Sequence, residues 1–157
     1  MEASTPLSGH SEPVRAEWID YNGHMNLAYY VLVFDHATDA LFDRLGIGRA
    51  YRAATDQSLF AVETHTVYER EVGLGALLEV ESRVIGADAK RLHLHHRMTE
   101  GGTPVASTEI MALHVDMGTR RTAAFPPDVR ARLFAAAEAD RGLPLPPGLG
   151  RRIAMPA

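Results

Sequence analysis

Apolar positions along this chain follow a helical period once and a strand-like pattern several times. Leu27, Tyr30, Val31, Phe34, Thr38, Leu41, Phe42 and Leu45 recur close to i, i+3, i+4, i+7, the spacing of one helix face. Asp35, Asp39, Asp43 and Arg44 fall on the opposite face. Asn26 is placed to cap the start of this helix, and Gly46 or Gly48 to stop it. The apolar face is broad and rich in aromatics, which predicts a helix wrapped by a sheet. Residues 49–57 read as a polar connection with room for a helical turn. Strand-like segments follow at 59–72, 76–87, 91–100 and 103–116, separated by turn signals at 73–75, 87–89 and Gly101-Gly102. Consecutive strands with tight turns predict an antiparallel meander. A short strand is expected at 13–19, ahead of a turn at 20–23. An Ala-rich helix is expected over 126–139, with Pro at its start where a missing N–H costs nothing.

This order predicts an α+β domain, one long helix against one curved antiparallel sheet. Such a sheet leaves an edge strand open, so the domain is expected to pair with a second copy, edge to edge. Residues 1–12, small and polar, read as a disordered leader, 13–140 as the domain, and 141–157, rich in Pro, Gly and Arg, as an extended tail.

Composition narrows the classes of function. The chain has 157 residues, of which 46% are hydrophobic and 23% charged, an ordinary balance for one globular domain. A net charge of -4 argues against nucleic acid, which calls for a clustered basic surface. With no cysteine, a disulfide framework, a thiolate metal site and a cysteine nucleophile are excluded. Residues 1–12 hold no apolar core of the signal-peptide type, and no stretch approaches the roughly 18 apolar residues of a membrane span. The expected compartment is the cytoplasm, with no membrane contact.

Chemistry concentrates in Trp18-Ile19-Asp20-Tyr21-Asn22-Gly23-His24-Met25-Asn26. A carboxylate, an amide and an imidazole stand just before a long apolar helix. The first turn of a helix exposes unpaired N–H groups and a partial positive charge, which can polarise a thioester carbonyl and stabilise its oxyanion. Gly23 allows close approach to the backbone. Asp20 is then a nucleophile or a general base for water. A plainer reading stands beside it: Asp20 and Asn22 shape an Asx-turn and His24 is a half-buried polar residue. Spacing alone leaves both open.

Asp20, Gly23, His24, Asn26 and Tyr30 form an Asp–x–x–Gly–His–x–Asn–x–x–x–Tyr arrangement that resembles the opening of hotdog-fold acyl-CoA thioesterases of the 4-hydroxybenzoyl-CoA type. The resemblance implies a hotdog fold over roughly residues 13–118, Asp20 as the catalytic carboxylate, and a backbone N–H at Gly23 or His24 that polarises the carbonyl. It further implies an acyl-CoA substrate without a cofactor, and a homodimer or homotetramer with its active site at a subunit interface. Asn22, Asn26 and Tyr30 become candidate substrate-binding residues. Glu63-Thr64-His65, Lys90-Arg91-Leu92-His93-Leu94 and Leu113-His114-Val115-Asp116 are similar to a narrower group, the betainyl-CoA thioesterases of carnitine breakdown, found alone or fused behind L-carnitine dehydrogenase. Leu27-Ala28-Tyr29-Tyr30 is closer to the wider family, which leaves the acyl group open.

Other residues are weighed on their own. Glu63 and His65 share a strand face, expected to be that of Leu59, Ala61 and Val67, where Glu63 would position water or hold a cationic acyl group. Trp18, Tyr21, Tyr30, Phe34, Phe60 and Tyr68 are candidates for an aromatic cage around a trimethylammonium group, or simply core. Lys90, Arg91 and Arg120 are candidate donors to CoA phosphates. His93 and His95 fall on one strand face and His96 on the other, too few converging ligands for zinc, so no metal is expected. No Gly-x-Ser-x-Gly elbow or Gly-rich phosphate loop occurs. Two alternatives to hydrolysis remain: a hotdog hydratase or dehydratase, whose aspartate and histidine stand five apart where Asp20 and His24 are four apart, and a non-catalytic acyl-CoA-binding protein.

Overall fold

A computed structural model describes residues 8–157, with Ser8 described by its backbone alone. Strand β1 spans Ser8–Pro13 and a 3-10 turn Ala16–Trp18. Helix α1 spans Leu27–Leu45 and α2 Arg49–Thr55. Strands β2 (Gln57–Tyr68), β3 (Leu77–Ala87), β4 (Arg91–Glu100), β5 (Thr103–Asp116) and β6 (Arg121–Thr122) follow, then helix α3, Pro127–Arg141. The strands form one antiparallel sheet in the order β1–β3–β4–β5–β2, with β6 on β5 past the end of β4.

Helix α1 obeys its sequence signals at both ends. The Asn26 side chain accepts from the Ala28 N–H at 3.0 Å, an N-cap. Gly46 adopts the left-handed conformation (φ 70°) that lets the helix stop. Its buried stripe is Tyr30, Val33, Phe34, Ala37, Leu41 and Leu45. The first half packs with Trp18, Met25, Leu78, Val80 and Met98, the second with Val84, Leu92, Leu94, Ile110 and Leu133 of α3. One helix therefore contributes to two hydrophobic clusters, one toward each end of the sheet. Part of the apolar face read from the sequence points elsewhere: Leu27 and Val31 are 62% and 47% exposed, while Val33 and Ala37 take their place against the sheet. The helix thus carries two adjacent apolar rows, and the sheet covers one.

The sheet departs from a meander at β2. That strand pairs with β5, not β3, and the link through 69–76 crosses the start of α1, where Val72 O accepts from the Met25 N–H at 2.9 Å. The free edge of β3 is taken by β1, so residues 8–12, read above as leader, are strand. Their polar sequence hides this: His10 and Glu12 occupy the inward positions where apolar residues are expected. Residues 1–7 lie outside the described residues. Beyond Ser82 the β3 edge is covered by α3, whose Asp140 Oδ2 accepts from the Val84 N–H at 3.0 Å. The tail then crosses to the outer face of the sheet, where the Gly150 N–H donates to Glu109 Oε2 at 2.7 Å. Edge strand β2 keeps its outer side free among the described residues, with Phe60 42% and Val62 54% exposed.

Leu41 is fully buried where α1 and the sheet meet. Leu41→Ala is expected to lower the unfolding free energy by about 2–5 kcal/mol, measured by urea denaturation. A loss below about 1 kcal/mol would contradict this packing.

Candidate active site

The segment from Trp18 to Asn26 folds as a tight hairpin against the start of α1. Ile19 and Met25 form a single bridge, and the Asn26 N–H donates to Trp18 O at 2.9 Å. Gly23, with φ 82°, closes the turn by donating its N–H to Asp20 O at 3.0 Å. This brings the Asp20 carboxylate to the mouth of the helix.

Both oxygens of that carboxylate have a donor. The Asn22 N–H reaches Oδ1 at 2.8 Å, and the Asn26 Nδ2 donates to Oδ2 at 3.0 Å. The Asx-turn and the chemical reading of the sequence are compatible in one arrangement: the turn holds the candidate carboxylate. The backbone N–H of Asn22 and then the Asn26 amide hold the Asp20 carboxyl below its ordinary value, with the nearby His24 adding a smaller pull. Asp20 is thus ionised across the neutral range, as a base or nucleophile must be.

A cavity of about 450 Å³ opens beside it, with Asp20, His24, Asn26, Tyr30, Tyr68 and Arg70 among its lining and Tyr21, Glu69 and Glu71 lining it as well. His24 Nε2 lies 3.2 Å from Glu71 Oε2. Tyr30 is buried, its ring edge-on to Tyr68 at 5.3 Å and its hydroxyl donating to Arg70 O at 3.1 Å. Burial pushes the Tyr30 hydroxyl pKa up. Arg70 pairs with Glu100 at 2.6 Å.

The structure gathers Asp20, Asn22, His24, Asn26 and Tyr30 at this cavity and separates other candidates from it. Trp18 is in the core, stacked on Tyr29 at 5.4 Å with Arg15 over its ring at 5.1 Å. Glu63 and His65 face away from the helix: a bulge between Ala61 and Glu63 inserts Val62 and switches the parity. Leu59 and Ala61 pair with His114 and Ala112, whereas Glu63 and His65 pair with Met111 and Glu109 on the outer face. Lys90, Arg91 and Arg120 lie at the opposite end of β4 and β5, and Arg91 is already bound to Asp88 at 2.6 Å. Arg70 and Glu71 also line the site although they carried no sequence signal. They arrive through the crossing link, which a meander would have placed elsewhere.

The Thioesterase-like superfamily matches residues 14–133. A betainyl-CoA thioesterase of Pseudomonas aeruginosa is 44% identical over 155 residues, covering 98% of each chain. An L-carnitine dehydrogenase/betainyl-CoA thioesterase of Agrobacterium fabrum is also 44% identical, and the match covers 98% of this chain but 31% of that longer protein. A Staphylococcus aureus protein solved in complex with CoA superposes with a TM-score of 0.88 at 31% identity, over 94% of both chains. The chain belongs to the Thioesterase-like superfamily and has its hotdog fold. Its activity is that of an acyl-CoA thioesterase, which sets aside the hydratase and the non-catalytic readings.

Removing the Asn26 amide takes away a donor that keeps Asp20 ionised. Asn26→Ala is expected to move the acid limb of kcat/KM to higher pH, read from a pH–rate profile, and to cost about 1 kcal/mol of stability through the lost cap. An unmoved acid limb would show that this hydrogen bond does not tune Asp20.

Proposed function

We propose that this chain hydrolyses betainyl-CoA, a thioester whose acyl group carries a quaternary ammonium, with Asp20 as the catalytic carboxylate. The observation that carries this reading is an ionised Asp20 held at the mouth of a cavity lined by Tyr21, Tyr30, Tyr68, Glu69 and Glu71. Aromatic faces and carboxylates are what a trimethylammonium group binds. Arg70 offers no competing free cation there, since Glu100 neutralises it. The 44% identity to the Pseudomonas aeruginosa betainyl-CoA thioesterase supports the same substrate.

In the reaction, the thioester carbonyl lies between Asp20 and the first N–H groups ahead of α1. The Gly23 N–H is engaged by Asp20 O, so we assign oxyanion stabilisation to the His24 N–H. Asp20 takes a proton from water as the hydroxide adds to the carbonyl carbon. The tetrahedral intermediate then breaks its C–S bond, and the departing CoA thiolate takes the proton back. The alternative route, direct attack by Asp20 to form an anhydride that water opens, reaches the same acid and thiol. Asn22 and Asn26 hold the carboxylate in either case.

A homodimer completes this reading, built through the free edge of β2; a homotetramer would pair two such dimers. Leu27, Val31, Phe60, Val62 and Tyr68 expose apolar surface around that edge. Antiparallel pairing about the middle of β2 would set Tyr68 of one copy beside Gln57 of the other. It would thereby bring Lys90, Arg91 and Arg120 of the second copy toward this cavity, where CoA phosphates need cations. We place the reaction in the cytoplasm. Among the described residues no helix is long and apolar enough to cross a membrane.

Free-thiol release from a panel of betainyl-, acetyl-, aryl- and long-chain acyl-CoAs tests the proposal. Release concentrated on betainyl-CoA is expected, falling by about 10²–10⁴ in Asp20→Asn with the fold unchanged by circular dichroism. Preference for another acyl group would reject the substrate, and full activity in the variant would reject Asp20.

A further inference from the structure

We propose that His10, Glu12 and His36 form a binding site for a divalent transition metal, with zinc the ion its ligands favour, joining strand β1 to helix α1. The site is separate from the thioester cavity, none of whose lining residues it shares.

Strand geometry accounts for two of the ligands. His10 and Glu12 stand two apart on β1 and therefore share a face. They pair with Val80 and Leu78, both core residues, so that face is the one turned toward α1. His36 meets them from the helix. Its Nδ1 lies 2.6 Å from Glu12 Oε1, and His10 Nε2 lies 2.8 Å from the same oxygen. All three ligand atoms fall within 4.8 Å of one another. Zinc bonds of about 2.0–2.2 Å set tetrahedral ligand atoms roughly 3.3 Å apart, so the two close pairs need to open by less than about 1 Å.

The surroundings suit an ion. Glu12 is 8% exposed, a carboxylate that burial alone would penalise. Arg15 stands 3.7 Å from the other oxygen, Oε2, and orients the carboxylate while leaving Oε1 to the metal. The two imidazoles are partly exposed, which gives water access to the remaining coordination position. Two imidazoles and one carboxylate with no thiolate are a donor set for zinc or its neighbours, not for calcium or magnesium. The ion would fasten a six-residue strand whose sequence, SGHSEP, holds no large apolar side chain.

The full chain, stripped with chelator, is titrated with Co²⁺ and then Zn²⁺. One equivalent of cobalt giving visible tetrahedral absorption is expected, displaced by one equivalent of zinc, with a rise in Tm on zinc binding. His36→Ala and, separately, Glu12→Gln should each weaken zinc binding by about tenfold or more. His93→Ala, on the outer face of the sheet, should leave it unchanged. No cobalt spectrum in the wild-type chain would overturn the proposal and leave the trio as a hydrogen-bonded clamp. Binding that survives both ligand variants would overturn it too. Neither readout depends on hydrolysis, so the thioesterase reading stands or falls apart from it.

Discussion

Asn26 uses both ends of its amide. Its Oδ1 accepts from the Ala28 N–H and starts the central helix, while its Nδ2 donates to Asp20 Oδ2. The same side chain therefore sets where α1 begins and where the carboxylate points. A helix that began a residue later would lose the cap and swing Asp20 away from the mouth. The rest of the hairpin follows from this anchor: the Asn26 N–H holds Trp18 O, the Met25 N–H holds the crossing link at Val72 O, and Trp18 locks into the core beneath. The geometry of the candidate site is thereby coupled to the burial of a large apolar face, which fixes it far more firmly than a surface loop could.

Surfaces left uncovered tell the other half. Among the described residues the sheet closes its β3 edge twice, with β1 and with α3, but leaves β2 open. Leu27 and Val31 of the second apolar row of α1 are exposed, and Leu27 lines the cavity together with Tyr68. An open edge of this kind is the surface through which the proposed homodimer would pair. In that proposed pairing the basic ends of β4 and β5 of one copy would approach the cavity of the other.

Much of this was legible in the sequence because its signals are local. The 3.6-residue period of α1, the Asn26 cap, the Gly46 stop and the turns on either side of β4 each depend on a few neighbouring residues, and each is found in the structure. The motif around Asp20 pointed to the segment that lines the cavity. What escaped depends on distant partners. β1 was hidden because its inward positions carry His10 and Glu12 in place of apolar residues. The pairing of β2 with β5 is a matter of topology, and turn signals around Gly73 suit a crossing link as well as a hairpin. The bulge at Val62 escaped for the same reason, and a single inserted residue was enough to send Glu63 to the other face of the sheet. Trp18 looked available for a ligand because its stacking on Tyr29 arises only once the hairpin folds back on α1.

The central claim is that the substrate carbonyl sits at Asp20 beside the start of α1. A crystal structure with a ketone analogue of the acyl-CoA, in which a methylene replaces the thioester sulfur, tests it most directly. The account predicts the ketone carbon within about 3.5 Å of an Asp20 carboxylate oxygen, with its oxygen toward the His24 N–H. An analogue bound with its carbonyl away from Asp20, in the groove between α3 and β3 for example, would contradict it.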